Sequence, residues 1–239
     1  MTPNEKRRIG DIRQVIVDTI IAAPVKSRVL KKKAQIRRYL AQYFADVPVE
    51  DMQGRSEQIM ARIALDHLEF ADQRRGGRAL VRIYNATEKD HGYTSAYTFI
   101  EMVNDDMPFL VDSVAAAINR HKLAVHITVH PIISIKRDRE GEVTAITDPD
   151  DDEARSESFI RFAVDHESDP HELKLLRQEI TRVLGDVRLA VRDWGAMRQR
   201  MRDTRDLLKF GPKGVDPLLR SESQALLDWL ADDHFTFLG

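Results

Sequence analysis

The sequence contains no cysteine among its 239 residues. This absence excludes disulfide bonds, cysteine-ligated zinc and thiol nucleophiles. No uninterrupted apolar run reaches the roughly 18 residues that a membrane-spanning helix needs. The basic and partly apolar segment 1–28 is interrupted by Asp11, Arg13 and Asp18, which a signal peptide would not tolerate. We therefore expect a cytoplasmic protein.

Several catalytic signatures are absent as well. The glycines form no GxGxxG fingerprint, and the GPKG stretch at 211–214 lacks the spacing of a phosphate-binding loop. Neither HExxH nor GxSxG occurs in the chain. These absences argue against an enzyme that binds nucleotides or hydrolyses its substrate with a serine or a metal.

The net charge is only −2, from 37 basic and 39 acidic residues, but its distribution is uneven. Residues 1–82 carry +7, residues 83–172 carry −11 and residues 173–239 carry +2. The contrast suggests two modules, although a solvated helical surface would give the same pattern. The basic stretch 28–38 allows a nucleic-acid-binding module as a weaker hypothesis, because phosphate contacts need clustered Lys and Arg.

Residues 1–76 are predicted to form a helical N-terminal segment. Apolar side chains recur there at helical spacing, first at Ile12, Val15, Ile16 and Ile20, then at Ile36, Tyr39, Leu40, Tyr43 and Phe44. Gly76 and Gly77 end the segment, because glycine permits backbone angles that other residues avoid.

The period of the pattern changes after residue 77. Alternating apolar residues predict strands near 79–86, 95–105, 123–138 and 157–166, with helices at 107–122 and 169–185 between them. The stretch 186–194 is compatible with a final strand or with a continuing helix. The order is that of a ferredoxin-like βαββαβ domain at 77–195, so the fold class is α+β. Residues 196–239 then read as a helical linker that ends in the first strand of a further, truncated module.

The stretch NDDMPFLVDS, from Asn104 to Ser113, joins a predicted strand to a predicted helix. Two adjacent carboxylates, Asp105 and Asp106, suggest an acid–base pair. A structural role is the simpler explanation, with Asp106 as the N-cap and Pro108 in the first turn of the helix. Asp169 is predicted to cap a second helix in the same way, because Pro170 follows it directly.

Metal-binding patterns are weak throughout. His126 and His130 lie in a predicted strand, where four residues span about 13 Å, too far apart for one zinc ion. The acidic run at 148–153 lacks the glycine and the closing glutamate of a calcium loop. We expect no metal site in this chain.

Two resemblances rest on these motifs. A strand followed by Asp106-Met107-Pro108 and an apolar helix resembles the start of ACT domains, in which a glycine usually stands at the position of Phe109. Longer stretches, NDDMPFLVDS and LADDHFTFLG above all, resemble the N-terminal region of the large bacterial NAD-specific glutamate dehydrogenases.

The resemblance implies a parent enzyme that converts L-glutamate, NAD and water into 2-oxoglutarate, ammonium and NADH. The catalytic and NAD-binding residues of that family have no matching positions here, so the fragment alone is expected to be inactive. The resemblance implies instead that this fragment has a regulatory role, and that it assembles with the downstream catalytic domain and with other protomers of a homo-oligomer.

The junction residues Asn104, Asp105, Asp106 and Phe109 are the candidate interface or effector site. A glycine lets a ligand approach the backbone, whereas a phenylalanine side chain fills that space. Assembly is therefore favoured, and an amino-acid effector site near 104–110 is the alternative.

Overall fold

The computed structural model describes residues 33–45, 47, 57–211, 214–235 and 237. The predicted stripe from Ile12 to Ile20 lies outside these residues. The chain divides into two compact units, Met1–Leu184 and Gly185–Gly239. None of the helices within the described ranges combines the length and the apolar character needed to cross a bilayer.

The first unit is built around one antiparallel sheet with helices. Its helices are α1 (Lys33–Tyr43), α2 (Glu57–Ala71), α3 (Glu88–His91), α4 (Leu110–Arg120) and the first part of α5 (Pro170–Arg192). Its strands are β1 (Leu80–Asn85), β2 (Thr98–Asp105), β3 (Val125–Val129), β4 (Ile132–Arg137), β5 (Val143–Ile146) and β6 (Arg155–Val164). The sheet order is β1-β2-β6-β4-β5, with β3 also paired to β6. The predicted α+β class and the ferredoxin-type arrangement are confirmed.

Strand β6 is the centre of this sheet because two collinear strands share one of its edges. Its second half pairs with β3 and its first half with β4. The strand predicted at 123–138 is thus split at Pro131, which has no N–H to donate to a ladder. The carbonyl of Pro131 still accepts from the Phe159 N–H at 2.9 Å, which keeps the break tied to the sheet.

The edge beside β2 is formed by the strand that precedes it in the chain. All six residues of β1 pair antiparallel with β2, from Leu80 opposite Val103 to Asn85 opposite Thr98. The ambiguous stretch at 186–194 is helical as far as Arg192. In the predicted βαββαβ order, the last strand of the domain would pair with β2 at this edge. Here β1, which precedes β2 in the chain, occupies that position instead.

Alternation along the strands directs side chains to both faces of the sheet. One face carries Val103, Ile133 and Phe159, which pack in one cluster with the stripe that was predicted on α1 and with apolar residues of α2. The other face carries Ile100, Met102, Ile160 and Phe162, all buried. Helices α4 and α5 supply the buried side chains that cover it, and an ion pair joins them from Arg120 to Glu179, at 2.7 Å.

The second unit is helical. It contains α6 (Trp194–Leu207), a 3-10 turn (Leu208–Phe210), α7 (Pro217–Trp229) and a π-helical turn (Leu230–His234). An ion pair between Arg205 and Asp228 at 2.8 Å and a hydrogen bond from Arg198 to the Ala231 carbonyl hold it together. Among the described residues of α6 and α7, none is buried. Of the strand predicted at HFTFLG, His234 lies instead in the π-helical turn, and residues 236, 238 and 239 lie outside the described residues.

Candidate functional site

Asp105 anchors the glycine-containing linker that precedes the sheet. Its Oδ1 lies 2.8 Å from Nη2 of Arg74, whose side chain is only 1% exposed. Arg74 also binds Glu157 at 2.9 Å and donates from Nε to the Arg78 carbonyl at 2.8 Å. The first of the two adjacent acids is therefore one arm of a largely buried ion-pair cluster.

Glu157 completes this cluster from the central strand. Arg137 binds both of its carboxylate oxygens at 2.8 Å, in the paired geometry that makes arginine–carboxylate contacts strong. The Arg74 N–H donates to the Gly141 carbonyl, so linker and β4–β5 turn are in direct backbone contact. Gly141 has a φ of +91°, and an added Cβ would lie 2.4 Å from the Arg74 carbonyl oxygen. Only glycine fits there.

Asp106 faces a different set of partners. Its Oδ1 accepts from the Ser158 hydroxyl at 2.6 Å, and its N–H donates to the Ser156 carbonyl at 3.0 Å. His130 Nε2 lies 3.0 Å from the same hydroxyl oxygen. Because the Ser158 hydroxyl donates its one proton to Asp106, the Nε2–H of His130 must be the donor to the hydroxyl oxygen.

This Asp–Ser–His contact is not a catalytic triad. A triad places the histidine between the serine and the acid so that it can remove the serine proton. Here Ser158, which is fully buried, lies between His130 and Asp106. We conclude that Asp105 and Asp106 act on separate structural partners and do not converge on one reacting atom.

The prediction that Asp106 caps the helix is wrong. Helix α4 begins at Leu110, and its N-cap is Phe109, which makes no side-chain cap hydrogen bond. Ser158 already engages the Asp106 carboxylate, and three residues separate that aspartate from the helix. Asp169, by contrast, directly precedes α5 and accepts from the His171 N–H at 2.8 Å, the geometry of an N-cap.

Phe109 has an unusual backbone for a bulky residue. Its φ is +70° and its ψ is +4°, in the left-handed region that costs a non-glycine residue about 1–2 kcal/mol. Glycine adopts this left-handed conformation readily, so the glycine that the ACT pattern usually has at this position would fit here without strain. Its side chain is 40% exposed, so the ring projects in part into solvent instead of filling the core.

We expect Phe109→Gly to raise the free energy of unfolding by about 1 kcal/mol, since glycine relieves the left-handed strain. Urea denaturation followed by circular dichroism measures the change. Phe109→Ala is the matched control, because it removes the same ring but keeps the strain and should give no gain. Equal destabilisation by both variants would show that packing of the ring outweighs the backbone strain.

A second group of charges lies under α2 and was not identified from the sequence. Glu101 of β2 is fully buried and receives hydrogen bonds from Arg82 Nε at 2.8 Å and from the Tyr84 hydroxyl at 2.9 Å. Arg161 of β6 lies directly opposite, with Nη1 3.6 Å from Glu101 Oε1. Arg82 of β1 also binds Asp66 of α2 at 2.7 Å, so the group joins four elements.

The surroundings of Arg161 hold it in place. Its guanidinium lies 4.0 Å from the centre of the Phe99 ring, and its Nη2 donates to the Tyr93 hydroxyl at 3.0 Å. The residue is 5% exposed. A buried guanidinium needs such a carboxylate and aromatic environment to offset the loss of its hydration.

The pKa values of Glu101 and of His67 are both lowered, for different reasons. Burial alone would raise the pKa of Glu101, but protonated His67, Arg161 and Arg82 outweigh it and lower that pKa to about 2. Burial lowers the pKa of His67 to about 4. His67 Nε2 lies 3.3 Å from the Met102 carbonyl and must be the donor, so Nδ1 accepts from the Tyr43 hydroxyl at 3.1 Å.

The sequence does contain a signal for this group. Glu101 stands in the apolar stretch FIEMV and Arg161 in the apolar stretch FIRFA. A lone acid in one buried strand and a lone base in another suggest a cross-strand pair, since unpaired charges are rarely buried. Their register in the sheet confirms that pairing.

The remaining predicted candidates make ordinary surface contacts. His126 Nε2 lies 2.7 Å from Asp165 Oδ1. Lys136 binds Asp151 and Glu153 of the acidic run, at 3.0 and 2.9 Å. Within the described ranges, no three acidic or histidine side chains are grouped so that they could hold a metal ion. The basic stretch 28–38 is described only from residue 33 onward.

Comparisons with known proteins agree on one family. The family model described as glutamate dehydrogenase, ACT1 domain, matches residues 39–180, from within α1 to within α5. The NAD-specific glutamate dehydrogenase of Halomonas elongata is 34% identical over 219 residues, which is 90% of this chain and 14% of that relative. The NAD-specific glutamate dehydrogenase of Pseudomonas aeruginosa is 28% identical over 211 residues, 87% of this chain and 13% of that relative. The chain thus spans a small part of the length of the curated relatives it matches.

Proposed function

This chain belongs to the glutamate dehydrogenase ACT1-domain family, and on that premise we propose that it is a non-catalytic regulatory and assembly segment of an NAD-specific glutamate dehydrogenase. The main observation in support of this proposal is the family match over residues 39–180, which include the whole sheet. The parent enzyme would act in the cytoplasm and convert L-glutamate, NAD and water into 2-oxoglutarate, ammonium and NADH.

Four acids in the sheet and at its junction with α4 each contact another side chain, and these contacts support a non-catalytic role. Asp105, Asp106, Glu101 and Glu157 each bind a partner that fixes the fold. A general acid or base instead needs a proton-accepting position within reach of a substrate.

The described residues do not fit NAD. All the strand pairs between the described strands are antiparallel, whereas dinucleotide sites lie at the carboxyl ends of parallel strands. We therefore assign NAD binding to another part of the parent and derive no chemical step here.

We propose that the side chain of Phe109 makes the contact through which this chain assembles with other parts of the enzyme. Phe109 combines a strained backbone with a partly exposed aromatic ring, and strained positions often serve a function. Aromatic side chains are also enriched at the centres of protein interfaces. Asn104 is buried and, like Asp105, binds Arg74, so these two residues would hold the backbone beneath the contact while Asp106 flanks it. The contact would be made with other protomers or with the catalytic domain, and an amino-acid effector near 104–110 is the competing proposal.

The test compares two equally exposed apolar positions. We expect Phe109→Glu to weaken the concentration-dependent self-association of the chain in analytical ultracentrifugation at least tenfold, because it places a charge in the contact. Leu175→Glu is the matched control, since Leu175 is 39% exposed and Phe109 40%. Equal effects of both changes would contradict the assembly contact.

Two further measurements address activity and effector binding. The chain supplied with glutamate and NAD should give no rise in NADH absorbance, and measurable turnover would contradict the non-catalytic assignment. A thermal-shift scan of amino acids should give no saturable stabilisation. A shift that Asp106→Ala abolishes without unfolding the chain would instead support the effector proposal.

A further inference from the structure

Helix α7 presents apolar side chains on two of its faces. Leu227 is half-buried and is followed in the sequence by Asp228 and Ala231, which both contact α6. The Arg205–Asp228 ion pair and the bond from Arg198 to the Ala231 carbonyl join the two helices along that side. This first face therefore has a partner within its own unit.

The second face of α7 is exposed. It carries Leu218, Leu219, Leu226 and Trp229, which are 65%, 56%, 56% and 51% exposed. At 3.6 residues per turn these four positions fall within an arc of about 100°. We call this set the outer stripe. Trp229 stacks on His234 with ring centroids 4.8 Å apart and still exposes half of its surface. Contiguous apolar surface of this kind marks interaction sites.

Glu222 stands within the outer stripe. On the same helical projection it falls between Trp229 and Leu226, and it is exposed. Among the described residues it has no ion-pair partner. A surface that covered the stripe would remove this carboxylate from water, and burying an unpaired charge is strongly unfavourable. The covering partner must therefore bring a cation to the middle of an apolar surface.

We propose that the outer stripe of α7 docks an amphipathic helix that presents leucine-like side chains around a central lysine or arginine. The stripe has the spacing by which one helix packs along another. This inference rests on the geometry of α7 and is independent of the proposed dehydrogenase function.

Two other occupants fit the stripe less well. A second copy of α7 in antiparallel packing would place the two Glu222 carboxylates about 4–5 Å apart along the helix axis, and parallel packing would place them opposite each other. Both arrangements join like charges in an apolar contact. A lipid surface is disfavoured because basic residues, not an acid, accompany the apolar face of membrane-surface helices.

Tryptophan fluorescence tests the proposal in the whole chain. The chain has two tryptophans, so Trp194→Phe leaves Trp229 in the stripe as the only reporter. The probes are two synthetic helical peptides of about four turns with leucines at a and d positions, one with a central lysine and one with a central glutamate. We expect a saturable blue shift with the lysine peptide and at least tenfold weaker binding of the glutamate peptide.

Two variants separate the charge from the apolar contact. Glu222→Lys should reverse the preference between the peptides, and Leu226→Asp should abolish binding of both while circular dichroism stays unchanged. Equal affinities for the two peptides, or no shift with either, would overturn the proposal. So would a concentration-dependent dimer that Leu226→Asp dissociates, or a blue shift on phosphatidylcholine–phosphatidylglycerol vesicles in place of the peptides.

Discussion

Replacing Glu101 by glutamine is expected to lower the free energy of unfolding by about 3–5 kcal/mol. The change removes the negative charge that Arg82 and Arg161 share while leaving both guanidinium groups in place. Arg161 is 5% exposed, and within the described residues Glu101 is its one ion-pair partner. A buried cation that loses its carboxylate retains the full cost of its lost hydration.

Urea denaturation at pH 7 measures this effect. The control is Glu153→Gln, which removes the same charge from an exposed ion pair with Lys136 and should change stability far less. A double-mutant cycle with Arg161→Met isolates the pair, and the double variant should be less destabilised than the sum of the two single changes. If Glu101→Gln costs no more than Glu153→Gln, the buried pair does not stabilise the fold.

The second large effect is a loss of stability in mild acid that depends on His67. Its pKa is about 4 in the folded protein, against 6.5 for an unperturbed histidine. The unfolded chain therefore binds the extra proton first, and stability falls as the pH drops from about 6.5 toward 4. A shift of this size corresponds to roughly 2–3 kcal/mol between pH 7 and pH 4.5.

Comparison with His67→Gln isolates this contribution. Glutamine has no charge to gain, yet its amide can still donate to the Met102 carbonyl and accept from the Tyr43 hydroxyl. The stability of the wild-type chain relative to the variant should fall by roughly 2–3 kcal/mol over that window. Glu101, with a folded pKa of about 2 against 4.5, adds its own loss only below about pH 4.5. Parallel curves for the two proteins between pH 7 and 4.5 would contradict the assignment to His67.

The regular elements of the first unit could be predicted because each buries one face. The stripe at Ile36, Tyr39, Leu40, Tyr43 and Phe44 is buried as its helical spacing indicated. Strands β1, β2 and β6 were equally visible from alternation, whereas a single strand was predicted across β3 and β4 and none at β5. What spacing alone could not decide was the stretch 186–194, where alternating valines and leucines fit both periods. Strand β1 was predicted as a strand, but its pairing with β2 at the edge of the sheet could not be predicted, because a local pattern does not specify which strands pair.

The candidate site was harder to predict because each of its polar side chains could bind a local backbone group or a side chain from a distant strand. Asp106 has good capping chemistry, yet Ser158 from a strand about fifty positions later engages it first. The left-handed backbone of Phe109 runs against the preference of its residue type, so no propensity could indicate it. Glu101 and Arg161 were separately visible as charges in apolar strands, but their pairing required the register of the sheet.

The position of β1 has a consequence for how the sheet forms. Because Asn85 pairs with Thr98 and Leu80 with Val103, a loop of at most about two dozen residues closes this edge. A final strand at 186–194 would have closed the same edge over a loop of roughly 90 residues, at an additional entropy cost of about 1 kcal/mol. The shorter connection lowers the contact order of the domain, and proteins with lower contact order fold faster. The chain can thus complete one side of its sheet as a local hairpin before its most distant strands meet.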